Sequence, residues 1–141
     1  MIVAPDREGA PQIELRQTFA NPAGARGYWS VGWSVQNLGV DSLSFLSVRL
    51  PHGQFRAEEH RFEPMLDLAP GQKTEFTISV RCDEPPGLVT ENAFLIFQVV
   101  WLDKPWRIFV RIRVNVAEDG RPTSSVESIT TQKVGFSGVT S

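Results

Sequence analysis

The segment KPWRIFVRIRVNV (104–116) changes character at every residue. Trp106, Ile108, Val110, Ile112, Val114 and Val116 share one phase, while Arg107, Phe109, Arg111, Arg113 and Asn115 share the other. A period of two over this length is a β-strand with one face buried. The competing period is missing, because no stretch of ten or more residues repeats its apolar positions at helical spacing. The same alternation returns in YWSVGWSVQ (28–36). There Trp29, Val31, Trp33 and Val35 face inward, opposite Ser30, Gly32, Ser34 and Gln36. It returns again over 73–82, where Phe76, Ile78, Val80 and Cys82 oppose Lys73, Glu75, Thr77, Ser79 and Arg81. A chain patterned this way is confined to an all-β fold.

The remaining segments fill in the count. QIELRQTF (12–19) reads as a short first strand with Ile13, Leu15 and Phe19 as its apolar set. LSFLSVRLP (43–51) slips phase after Phe45, which requires either a bulge or a strand apolar on both faces. ENAFLIFQVVWLD (91–103) is apolar on both phases, the mark of a central strand. Residues 53–68 follow neither period and are expected as a short edge strand or a helical turn. Turns fall at NPAGARG, NLGVDS, LAPGQ, DEPPG and AEDGRP. About seven strands in an immunoglobulin-like antiparallel β-sandwich are therefore expected over 12–117. A flexible arm, 1–11, precedes them. A Ser/Thr-rich tail, 118–141, follows, with enough apolar content in VESITTQKVGF (126–136) for one added strand. At 141 residues the chain has room for one core and needs no disulfide or metal to fold.

The turns and strand ends VQNLG, VRLPHG and LDLAPGQKTEFTISV resemble those of bacterial CARDB-type and fibronectin type III-like modules, over residues 12–116. The resemblance implies an immunoglobulin-like sandwich that serves as a binding or spacer module. It carries over no functional residue.

The final hairpin raises the functional question. If Trp101 lies opposite Trp106, then Val99 meets Ile108, Phe97 meets Val110, Leu95 meets Ile112 and Ala93 meets Val114, an apolar side that must be core. The other side then sets Phe94, Ile96, Gln98 and Val100 against Arg113, Arg111, Phe109 and Arg107, with Arg49 arriving on the third strand. Such a surface exceeds what monomers usually expose. Three covers are open: the tail folded back over it, a second copy, or a different protein, since Arg and aromatic residues concentrate at interface centres. The interface candidates are Phe94, Ile96, Val100, Arg107, Phe109, Arg111, Arg113 and Arg49.

For the tail, burying Val126, Ile129, Val134 and Phe136 would contribute up to ~1.5–3 kcal/mol each. Ordering the backbone costs roughly 1–2 kcal/mol per residue. The balance is near zero, so order is expected only within an assembly.

No catalytic, cofactor or metal motif is present. His52 and His60, with Glu58, Glu59 and Glu63, lack zinc spacing. Asp41, Asp67 and Asp103 lie on loops expected at one end of the sandwich, a thin supply of oxygens for calcium. Cys82 sits on the core phase. Eleven Arg against three Lys could contact nucleic acid through Arg49, Arg107, Arg111 and Arg113, with Phe94 and Phe109 as stacking platforms. The formal charge of −2 argues against that use. No apolar run is long enough to span a membrane. The start MIVAPDREGAPQ lacks a signal-peptide pattern, and with one cysteine this points to the cytoplasm. The expected function is a non-enzymatic protein–protein interaction or assembly module without cofactors, partnered by another protein or by its own copy. The alternative is a carbohydrate-binding sandwich, which would need tryptophans outside the core.

Overall fold

A computed structural model describes residues 9–51 and 53–134. All regular elements are strands: β1 (Ile13–Pro22), β2 (Tyr28–Asn37), β3 (Leu43–Leu50), β4 (Ala57–Leu68), β5 (Lys73–Arg81), β6 (Val89–Trp101), β7 (Lys104–Val116) and β8 (Pro122–Lys133). They form two antiparallel sheets, one ordered β1-β2-β5 and the other β4-β3-β6-β7-β8. The fold is an all-β, two-sheet sandwich, with β3 beside the last hairpin. Expected arm residues 1–8, His52 and the tail beyond Val134, Phe136 included, lie outside the described residues.

The inward phases of the alternating segments make the core. Trp33, Val31 and Val35 from β2 meet Phe45, Phe97, Leu95, Ile108, Val110 and Ile112 from the opposite sheet, all at most 1% exposed. The aromatic rings pack edge to face, Phe45 on Phe97, Phe97 on Phe76 and Phe76 on Phe62. Asn37, within the VQNLG turn, joins the sheets at one end. Its buried amide donates to the carbonyls of Asp41 (2.9 Å) and Leu68 (3.0 Å), and its Oδ1 accepts from the amide of Gly39.

Three expectations change, and one open alternative, that of the third strand, is resolved. Phe19 is not in the core, because a register shift between Gln17 and Phe19 turns it outward over Gly32 and puts Ala20 inside. The phase slip in the third strand is a bulge between Phe45 and Ser47, which returns Val48 and Leu50 to the core. Residues 57–68 form a long strand, not a short one or a helical turn. Its edge position buries only Phe62 and Leu68, which hides the period. Finally, Pro122–Lys133 pairs with β7 inside the single chain, so the sheet gains an eighth strand without an assembly.

The reason for the last change lies in hydrogen bonds that apolar burial omits. Besides its ladder, β8 is held by Gln17 of β1. Gln17 Nε2 donates to the Pro122 carbonyl at 3.0 Å, and Gln17 Oε1 accepts from the Ser124 amide (2.9 Å) and hydroxyl (2.6 Å). Arg121 donates to the carbonyl of Ala20 and lies over the Trp29 ring. Of the apolar residues, Ile129 packs on the core, whereas Val126 stays exposed.

Candidate interaction surface

The β6–β7 hairpin closes through Leu102 and Asp103, both at positive φ (52° and 61°). That is a two-residue turn of the type whose twist matches the flanking strands. Trp101 therefore pairs with Lys104, and each pair from there to Ala93 lies two residues from the register expected with Trp101 opposite Trp106. A shift of two preserves the faces. Val99, Phe97, Leu95 and Ala93 face Trp106, Ile108, Val110 and Ile112 inside the core.

Outside, the shift changes the neighbours. Ile96 now lies opposite Phe109, Phe94 opposite Arg111, Gln98 opposite Arg107 and Val100 opposite Pro105. On one side β3 adds Arg49 beside Ile96 and Ser44 beside Val100. On the other, β8 adds Thr130 beside Phe109, Ser128 beside Arg111 and Gln132 beside Arg107. The apolar pair is thus central, with arginines around it and hydroxyl and amide side chains beyond.

The structure brings all eight candidates onto one face, with unequal exposure. Ile96 is only 7% exposed, Phe94, Val100, Arg107, Phe109 and Arg111 are half-buried, and Arg49 and Arg113 are exposed. Neighbouring side chains supply much of the cover that the apolar residues need. The described part of the tail supplies none of it, since β8 extends the sheet edge instead of crossing the face. Among the described residues, no segment lies across the centre.

A bulge positions two of the arginines. The β6–β7 register shifts between Thr90 and Ala93, and Asn92 adopts φ 62°, a conformation Asn tolerates. Glu91 thereby reaches Arg113 (3.4 Å), and Asn92 Oδ1 accepts from Arg111 Nη1 (3.3 Å). Arg111 Nε is buried and finds no acceptor among the described residues. Arg49 and Arg107 form no ion pair among them. The Glu91–Asn92 contribution escaped the sequence reading, although Asn ahead of an apolar run was a signal for a left-handed bulge residue.

Other candidate chemistry is dispersed. Cys82 is buried, and burial, with Glu84 and Asp83 nearby, pushes its thiol up to about 11. Asp41, Asp67 and Asp103 do share one end of the sandwich, next to the Leu43–Leu68 and Leu43–Trp101 pairs. Asp67 there accepts from the Ser44 hydroxyl. Among the described residues no group of three or more His, Cys, Asp or Glu is placed to hold a metal ion. All four tryptophans are inside, at 9% exposure or less, and the exposed aromatics Phe19 and Tyr28 stand on β1 and β2. Among the described residues no helix is long and apolar enough to cross a membrane. No family model matches the chain, and no curated protein matches its sequence.

Proposed function

We propose that this sandwich is a non-enzymatic interaction module that docks a protein surface, on a partner or on a second copy, against the outer face of β3, β6, β7 and β8. One observation carries the reading. The broad sheet presents half-buried Phe94, Val100 and Phe109 around the buried Ile96, among Arg49, Arg107, Arg111 and Arg113, with no described segment across it. A half-buried apolar centre flanked by arginines matches a partner carrying apolar side chains and carboxylates. The resemblance of the VQNLG, VRLPHG and LDLAPGQKTEFTISV segments to CARDB-type modules is in keeping with a binding role. A single buried thiol accords with work in the cytoplasm.

The test pairs Phe109→Glu with Arg107→Glu, because both residues are half-buried on the face and neither enters the core. Sedimentation across a concentration series reads self-association, and capture from source-cell lysate reads a partner. The double variant should keep buried-tryptophan fluorescence while losing association or capture by about tenfold or more, as expected for interface-centre residues. An unchanged sedimentation profile together with an unchanged captured set would sink the proposal.

A further inference from the structure

A second surface adjoins the hairpin face, sharing Arg49 with it, at the flank where β4 and β5 approach each other. Arg56, just before β4, and Arg81, the last residue of β5, form an isolated antiparallel bridge. The Arg56 amide donates to the Arg81 carbonyl (3.0 Å) and the Arg81 amide to the Arg56 carbonyl (2.7 Å). Residues that exchange both backbone bonds lie about 5.5 Å apart at Cα and send their side chains to the same side. Like charges placed so are destabilising. The fold nonetheless sets the two arginines side by side at the backbone, and both side chains line the same cleft.

Their surroundings do not resolve the repulsion. Arg81 is positioned over the Tyr28 ring, 5.9 Å from its centroid, which restricts its swing. Both arginines line an open cleft of about 820 Å³, joined by Arg49 from β3, Ser79 from β5, and Glu58, Glu59 and His60 from β4. Asp83 and Glu84 border a smaller recess next to it. Among the described residues none of these carboxylates lies within ion-pair distance of Arg49, Arg56 or Arg81, and Asp83 is instead paired with Arg26 at 3.6 Å.

We propose that this cleft binds a phosphate group, held between the Arg56 and Arg81 side chains. A single carboxylate satisfies one guanidinium fork. A tetrahedral phosphate has oxygens enough for both forks at once, and its charge turns the repulsive pair into an attractive one. The Ser79 hydroxyl, on the same side of β5 as Arg81, is a further donor toward it. The cleft exceeds the size of the phosphate alone, so the ligand class is a phosphate monoester whose remaining part lies along Tyr28 and the β4 wall.

The test is an NMR titration with inorganic phosphate, ionic strength being held constant with sodium chloride. Saturable shifts are expected at Tyr28, Ser79, Arg56 and Arg81, including the arginine Nε signals. The R56Q/R81Q variant should bind about tenfold or more weakly. R61Q, which removes an exposed arginine of β4 paired with Glu63, should bind as the parent does. Because the bridge is made by backbone atoms, the double variant should retain it. The parent's own Nε shifts provide a readout that needs no variant. Shifts that fail to saturate, or a double variant that binds phosphate as well as the parent, would overturn the proposal.

Discussion

Cys82 sits at 3% exposure directly after β5, and its carbonyl accepts from the Trp29 indole. The folded protein keeps its thiol neutral up to about pH 11, against an ordinary value of 9.0. An unfolded chain binds fewer protons than the native one between those values, so stability falls as pH rises through that window and is fully present below it. The urea midpoint should therefore decline more steeply from pH 9 to 11 in the parent than in Cys82→Ala, and a matching decline in both would refute this. At pH 8 the native thiol should resist a disulfide reagent until denaturant is added. Leu102 offers a test of the opposite sign. It occupies a left-handed turn position while half its surface faces water, so its side chain contributes little to offset the strain. Leu102→Asn with Asp103→Gly should stabilise the hairpin by roughly 0.5–1.5 kcal/mol, seen as a higher melting temperature. These two residues also explain why the register could not be read from sequence. The four residues LDKP suggested a longer turn, and nothing in Leu102 announces positive φ.

At the scale of strands, legibility followed the contrast between faces. β2, β5 and β7 each set one buried phase against a more polar one, and all three were readable as alternation. β4 and β8 are edge strands with few buried positions, so their polar sequences hide the period that a packed neighbour would impose. The candidate face was legible as a set of residues, since a shift of two leaves faces intact. Its pairing of Ile96 with Phe109 and its Glu91–Asn92 bulge were not. β8 shows what side-chain burial alone leaves out. Gln17 serves two orphan backbone groups of that strand from the opposite sheet. Gln17→Ala should cost about 1–3 kcal/mol. It should also raise amide exchange near Ser124 more than in β6 or β7. Uniform acceleration across the sheet would show that the strand is held by its ladder alone.

The whole sandwich is closed on both flanks, with β1 beside β8 and β4 beside β5. This closure fixes how the molecule would carry load. Gln17 lies against Pro122 and Ser124, and Ala20 against Arg121, so β1 and β8 run antiparallel. The start of β1 and the end of β8 consequently emerge at the same end of the molecule, near Asn37 and Trp106. A pull applied at Ile13 and Lys133 peels each strand from its sheet one hydrogen bond at a time. A pull between Gly24, in the turn at the far end, and Lys133 loads the ladders along their length, so that many bonds must yield together. Forced unfolding is governed by the unfolding barrier, not by equilibrium stability. In an optical trap the first geometry should unfold at the lower force, although both start from the same folded protein. As a link in a chain under tension, this domain would behave as a zipper opened from its tab.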